Sequence, residues 1–480
     1  MARDFDADDG LSAAASFVAP PVLASPPSVG AEARPPIAQL IGLGLVSLTP
    51  VLGLALAPQQ TAAVLHGLGW AAFSGSTIWR AALLAISRVP AQAPPLVPGL
   101  EPTYTVIAPM YREAAMVRRL AEALCRLDYP PERLQVILAL EADDSETYVA
   151  ARDLPAMFEV MVCPKGPLRT KPRACNLALA RARGEFVVVY DAEDRPDPMQ
   201  LRQAAARFAA AGPELACVQA PLRIAAASRF VPRQFALEYA ALFEVLLPAL
   251  ARIGAPFPLC GTSNHFRTDA LRRVGGWDSY NVTEDADVGF RIAAAGGRIG
   301  MIAAATVELP PTTLDAWTPQ RARWLKGYMQ TWSVHMRRPA AGGLGRALML
   351  QASVGLAAVS ALAHAPLMLM LAANVLTAAC AGRAPHVALA DLGLLLTAWA
   401  VAVACLAQGA RRAGGRLTVR DALGVPAYWL LQTVAFAHAA VQLVTRPHHW
   451  DKTPHALPVE EMEQTPCLDE LDRERVSRAA

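Results

Sequence analysis

Hydrophobic positions along this chain follow two different patterns. From Pro36 through Trp79 no Asp, Glu, Lys or Arg interrupts the sequence. A run of that length predicts two membrane-length helices, at 37–57 and 61–79, hinged at Pro58-Gln59-Gln60 and closed by Arg80 and Arg88. About 20 residues rising 1.5 Å each cross a hydrocarbon core. A second charge-free block, Ala347–Gly382, predicts two short spans broken near His364-Ala365-Pro366. Further runs at Leu392–Ala410 and Ala422–Thr445 bring the C-terminal spans to three or four, with four favoured. Residues 1–36 are a polar, Pro/Ala-rich head read as flexible, and a cleavable signal peptide is not expected there. The tail 447–480 is polar and charge-rich, flexible from about residue 456.

Between the apolar blocks, residues 100–335 alternate β-rich runs with helical segments. The runs include TYTVIAP, LQVILAL, EFVVVYD and ACVQA. Such alternation predicts a mainly parallel α/β sheet, whose ligands bind beyond the carboxyl ends of its strands.

Composition sharpens the division. The 480 residues are 54% hydrophobic and 18% charged, below the roughly 25% charged of soluble domains, which points to a membrane. A net charge of +3 gives no ground for a nucleic-acid partner. Eight cysteines without a C-x-x-C pair suit a reducing cytosol rather than a zinc site or disulfide framework.

The strand ends carry the candidate chemistry. TYTVIAP is followed by Met110-Tyr111-Arg112-Glu113, LQVILAL by Glu141-Ala142-Asp143-Asp144, and EFVVVY by Asp191-Ala192-Glu193-Asp194. Asp143-Asp144 read equally well as a helix N-cap. The third cluster does not, because an apolar strand runs straight into three acids. Clustered carboxylates repel one another and call for a cation, and hard oxygen ligands beside phosphate suit Mg²⁺ or Mn²⁺. Lys171, in Arg169-Thr170-Lys171-Pro172-Arg173, can meet a phosphate as a point charge or belong to a solvated basic loop. Asn281-Val282-Thr283-Glu284-Asp285-Ala286-Asp287 precedes a helical stretch; it can cap that helix or supply a general base. WTPQRARWLKGY, residues 317–328, reads by itself as an interfacial anchor.

Together these motifs resemble the family-2 glycosyltransferases, in the membrane-integrated branch that includes cellulose, curdlan and other β-glucan synthases. Gln320-Arg321-Ala322-Arg323-Trp324 matches the branch's Q-x-x-R-W. The order of the acidic strand end, the D-x-D-like acids, T-E-D and Q-x-x-R-W also matches over about residues 103–335. The resemblance implies a cytosolic GT-A-type domain at 100–311 and interfacial helices at 312–340. These would be inserted between transmembrane helices at 37–90 and 347–446 of a multi-pass protein of the bacterial inner membrane.

By that resemblance Tyr111 and Glu113 would hold the uridine, with Glu141, Asp143 or Asp144 beside them. Lys171, Gln320 and Arg323 would bind the diphosphate, and Asp191 with Glu193 the metal. The second acid of D-x-D is Glu193 here, so Asp194 remains a substitute. Cys260-Gly261-Thr262 would cradle the acceptor sugar, Trp324 would stack on it, and Asp285, with Glu284 beside it, would be the catalytic base. The 317–328 helix would turn its polar face to the site and its Trp/Leu face to lipid.

The implied activity is a processive, inverting polymerisation of a β-linked polysaccharide, a β-glucan, from a UDP-sugar such as UDP-glucose. Its partners would be the growing polysaccharide, the bilayer that chain crosses, and export proteins. The alternative is a non-processive enzyme adding sugars to a lipid acceptor. A transporter fits poorly, since the apolar spans lack charged residues. Neither the F-x-V-T-x-K gating loop nor room for a PilZ domain is found after Thr445. Instead, Trp450-Asp451-Lys452-Thr453-Pro454-His455 resembles the W-x-K-T-x-H terminus of other members. Topology carries a tension. Four C-terminal spans put that terminus inside but Arg411, Arg412, Arg416 and Arg420 outside; three spans reverse both.

Overall fold

Apolar runs without charge become the strands of a central sheet in the computed structural model. It describes residues 30–450 apart from 34, 36, 167, 226–227, 339–342 and 384–388. The strands are β1 Tyr104–Met110, β2 Leu134–Glu141, β3 Phe158–Cys163, β4 Phe186–Val189 and β5 Arg195–Pro196. They continue with β6 Leu215–Gln219, β7 Leu222–Ile224, β8 Asn264–Arg267, β9 Arg298–Met301 and β10 Thr306–Glu308. Seven form one sheet in the order β3-β2-β1-β4-β8-β6-β9, and β5-β10-β7 form a small second sheet. The large sheet is mainly parallel, as expected; β8 alone runs antiparallel to its neighbours β4 and β6.

Side chains alternate across this sheet, so β1 feeds two cores. Tyr104, Val106 and Ala108 pack with Met116, Leu120 and Phe208 on one face. Ile107 packs with Ile137, Val187, Phe266 and Trp317 on the other. Each fully buried Val, Leu, Ile, Phe or Met side chain among them contributes about 1.5–3 kcal/mol.

Two helices precede the sheet, α1 Ile37–Leu56 and α2 Pro58–Ile86. The break falls at Ala57, with Pro58 opening α2, where a missing N–H costs nothing. Within the α/β domain lie α3 Ala114–Cys125, α4 Ser145–Ala151, α5 Lys171–Arg181 and α6 Gln200–Ala209. Next, α7 Phe230–Ala241 runs through a π-turn into α8 Leu247–Arg252, followed by α9 Thr268–Arg273 and α10 Glu284–Ala294. The chain then builds α11 Leu314–His335, α12 Gly343–Leu350, α13 Leu356–Cys380, α14 Leu389–Arg412 and α15 Val419–Thr445.

Among the described residues four helices are long and apolar enough to cross a membrane: Phe230–Arg252, Gly343–Ala363, Leu389–Arg412 and Val419–Thr445. The first is a core helix, mostly buried against the α/β domain. The outer faces of α1, α2, α13 and α14 stay apolar and exposed, as at Leu45, Val51, Leu68, Ile78, Leu376 and Leu396.

One expectation is corrected here. Ala347–Gly382 is not two short spans: α12, a π-turn and α13 form one continuous helical run. The block is long because its first turns belong to the α/β domain. Arg346 donates to His335 Nδ1 at 3.1 Å and Trp332 Nε1 to Gln351 Oε1 at 2.9 Å, so only α13 projects. In addition, α15 has both ends on the α/β domain. Near its start Asp421 pairs with Arg233 at 2.9 Å. Near its end Lys326 Nζ donates to Gln442 Oε1 at 3.0 Å and to the His449 carbonyl at 2.8 Å. Its outer face nonetheless stays apolar and exposed, as at Leu423, Val434 and Val441, and its length and composition would let it cross a membrane.

Candidate functional site

One cavity of about 630 Å³ opens at the carboxyl ends of β1 and β4 and continues between α2, α13, α14 and α15. Tyr111, Glu113 and Glu141 line its outer end. The chain leaves β1 through Arg112, whose backbone is left-handed at φ 54° and whose N–H donates to Asp144. Asp144 also caps α4, accepting from Thr147 N at 3.2 Å. It braces the turn and does not reach the cavity. Asp143 sits at the rim, paired with Arg169. Glu141 is held by Arg173 at 3.3 Å; burial nonetheless raises its pKa.

The β4 end is built the same way. Asp191 and Glu193 line the cavity, whereas Asp194 turns inward, fully buried. It accepts from Asp191 N at 2.7 Å and from the Thr262 hydroxyl. Burial, then the charges of Asp191 and Glu193, push its carboxyl up. Of the three acids expected to hold a cation, two face the site and one braces it. Glu308, at the end of β10, faces the same cavity; burial first, then Asp194, Glu193 and Asp191, push it well up.

Lys171 reaches inward from the start of α5, donating to the Gly261 carbonyl at 2.6 Å and pairing with Asp191. Burial works against its ammonium, but Asp191 and Glu284 outweigh it and its pKa rises. The turn Cys260–Ser263 passes β4 and β8 with Ser263 at φ 56°. A Cβ on Gly261 would stand 3.6 Å from Lys171 Nζ, 3.7 Å from Asp285 Oδ2 and 4.0 Å from Asp191 Oδ2. Three motifs distant in sequence therefore meet at one glycine.

Asp285 comes from the first turn of α10. Thr283 occupies the N-cap position but makes no side-chain capping bond. Its hydroxyl instead faces Gly327, where any Cβ would fall 2.3 Å away, so glycine lets α11 close on α10. Burial pushes Asp285 up to about 6 and Glu284, also facing the charge of Asp285, up to about 8.

Helix α11 closes the far wall with Gln320, Arg321, Arg323 and Trp324. It does not turn a Trp/Leu face outward as expected, because α15 covers it. Trp317 is 1% exposed and donates to Tyr428 Oη at 3.1 Å, and Lys326 is fully buried. Arg321 forms a two-pronged pair with Glu238, its Nη1 3.1 Å from Oε1, and stacks 4.7 Å from the Trp324 ring. Arg323 lies over Trp450, 4.3 Å from its ring centroid. Gln320 Oε1 and Arg323 Nε are buried with no hydrogen-bond partner among the described residues, as expected of groups that await a ligand. Lys452, Thr453, Pro454 and His455 fall outside the described residues.

Sequence reasoning missed Glu238 and Glu308. Glu308 carries the same signature as the other strand ends, a carboxylate closing a β-run before Pro310-Pro311. Glu238 lies inside a helical repeat and had no such signal.

Residues 186–409 match the family described as glycosyl transferase family group 2. The chain is 26% identical over 238 residues to the probable glycosyltransferase YdaM of Bacillus subtilis, covering 47% of this chain and 55% of that protein. It is 28% identical over 267 residues to the beta-monoglucosyldiacylglycerol synthase of Synechocystis, covering 52% and 55%. It is 26% identical over 239 residues to the probable glucomannan 4-beta-mannosyltransferase 10 of Arabidopsis thaliana, covering 47% and 43%. The chain spans about half the length of these curated relatives. Among solved structures, the mannosyltransferase PcManGT of Pyrobaculum calidifontis, in complex with GDP-Man and Mn²⁺, superimposes with TM-score 0.54 at 24% identity. The match covers 78% of this chain and 96% of that one, and the shared fold is GT-A.

Proposed function

We propose that this chain is an inverting family-2 hexosyltransferase that moves a sugar from a UDP-sugar to an acceptor hydroxyl at a membrane. The observation that carries this reading is the meeting of Lys171, Asp191 and Asp285 around Gly261. Asp285 takes the acceptor hydroxyl's proton; that oxygen bonds to the anomeric carbon from the face opposite the diphosphate, and the bond to the leaving phosphate breaks. Lys171, Gln320 and Arg323 stabilise the departing UDP, while Tyr111, Glu113 and Glu141 hold the uridine, with Asp143 at the rim.

Asp191 and Glu193 fit a divalent ion, since both face the cavity beside Lys171. Among the described residues no three His, Cys, Asp or Glu side chains could hold a metal by themselves, so diphosphate oxygens would complete the shell of Mg²⁺ or Mn²⁺. When bound, that ion neutralises charge on the leaving diphosphate.

UDP-sugar supply puts the domain in the cytosol, on the bacterial inner membrane. Four helices, α1, α2, α13 and α14, would cross the bilayer, with α15 lying along the domain. This leaves Arg411, Arg412, Arg416 and Arg420 inside, as the positive-inside tendency requires.

The geometry favours a lipid acceptor. Beyond Trp324 the cavity is walled chiefly by leucine and alanine, which suit acyl chains better than a hydrated glycan. The processive β-glucan reading keeps one specific support: Trp324, the sugar-stacking residue of Q-x-x-R-W, stands where a polymer would enter that passage. Purified protein in lipid, given radiolabelled UDP-glucose and Mg²⁺, separates the two. Label extracted into organic solvent supports the lipid acceptor; alcohol-insoluble label released by β-glucanases supports the polymer. No UDP release from any UDP-hexose would overturn the transferase reading itself.

A further inference from the structure

The apolar arm of the cavity contains one feature that a neutral lipid does not explain. Its wall includes Leu83 of α2, Leu246 of the π-turn, Leu356 and Ala361 of α13, and Ala402 and Leu406 of α14. Among these stands Arg80 of α2, also lining the cavity. Among the described residues Arg80 has no hydrogen bond and no ion pair, and it stands half-exposed at the cavity wall. The carboxylate whose charge reaches it, Glu238, is already engaged by Arg321 and by Tyr428 Oη at 2.8 Å. A half-exposed guanidinium in an otherwise apolar wall keeps its fork open to a ligand, and that fork matches phosphate oxygens.

We propose that the arm seats a phosphate-bearing lipid, its phosphate on Arg80 and its chains among α2, α13 and α14. The acceptor is thus an anionic lipid whose head-group hydroxyl points past Trp324 toward Asp285. This inference rests on the lipid-acceptor reading and names the chemistry of the lipid.

Dioleoylphosphatidylglycerol offers a phosphate, free hydroxyls and two chains; dioleoylglycerol offers the same chains and a hydroxyl without the phosphate. Each is presented to the full chain in neutral detergent micelles at equal mole fraction, and lipid KM is read from labelled-sugar transfer. The wild type should show about tenfold lower KM for the phosphatidylglycerol, the worth of about 1.4 kcal/mol. Arg80→Gln should close that gap and Arg80→Lys should keep part of it, with thermal melting and UDP binding confirming that both variants fold. Millimolar inorganic phosphate should not compete, because the chains supply much of the affinity. Competition by phosphate together with equal KM for both lipids would assign the site to free phosphate and overturn the lipid. Equal use of both lipids by the wild type and Arg80→Gln would also overturn the proposal, while leaving transfer to a hydroxyl intact. Absence of transfer to either lipid, with UDP released and the labelled sugar passing into a polymer, would sink the lipid-acceptor reading beneath it.

Discussion

Asp287 of α10 accepts a hydrogen bond from His335 of α11 over 3.0 Å, with both side chains buried. Arg291 holds the other Asp287 oxygen at 2.6 Å, and Arg346 donates to His335 Nδ1 at 3.1 Å. A neutral imidazole satisfies both contacts, giving from Nε2 and accepting at Nδ1. The chain of bonds ties the helix carrying Asp285 to the one carrying Gln320, Arg323 and Trp324. Arg291 and His335 outweigh burial and hold the Asp287 carboxyl below its ordinary range. A depressed carboxylate stabilises the fold above its unfolded pKa, near 3.9, and loses that contribution as pH falls toward the folded value. Asp287→Ala strands Arg291 and should cost about 3–5 kcal/mol at neutral pH, read as a lowered Tm. The deficit against wild type should shrink when melting is repeated at the acid end of that window.

The strand-end acids and the motif order were legible because open α/β sheets put ligands beyond strand carboxyl ends. Which acid of each cluster faces the ligand was not legible. Asp144 and Asp194 stand near acids that line the cavity yet bind backbone amides, a difference set by turn geometry. The packing of helix α15 was not legible, because an apolar 24-residue run such as Ala422–Thr445 looks the same against lipid or against α11. Only the polar anchors at its two ends, Asp421 and Gln442, distinguish them.

Gly261 offers a clean separation of folding from function. Its added Cβ would make only ordinary contacts of 3.6–4.0 Å, so Gly261→Ala should melt like wild type. The methyl would nevertheless occupy the space between the base and the phosphate-facing lysine. Misplacing reactants by about 1 Å costs about 10²-fold, and turnover should fall by that order. Unchanged turnover would show that the sugar does not sit there.

Removing metal should separate the two kinds of acid. Excess EDTA should abolish transfer, and Asp191→Asn should weaken Mg²⁺-dependent UDP binding in calorimetry. Asp194→Ala removes the acceptor for the Asp191 amide and the Thr262 hydroxyl, and should lower stability by about 1–3 kcal/mol. Full activity in chelator would remove the ion from the scheme.

The acid–base pair gives the most exacting test. Asp285 and Glu284 are raised to about 6 and about 8, so activity should grow as pH rises through about 6, where the base loses its proton. Because the two carboxyls interact, the limbs of the kcat/KM profile belong to the pair rather than to either residue. Asp285→Asn keeps the shape but cannot accept a proton; turnover should drop about 10²–10⁴-fold and the lower limb vanish, with donor affinity held. Trp324→Ala should instead raise the acceptor KM, since it removes a stacking face while UDP still binds. Arg323→Lys should cost turnover, because an ammonium cannot copy a guanidinium on a diphosphate. Measuring UDP affinity beside turnover for all three decides the roles. Near-wild-type turnover in Asp285→Asn would mean that the carboxylate beside Gly261 is not the base, and the mechanism would have to start from Glu284 or Glu308.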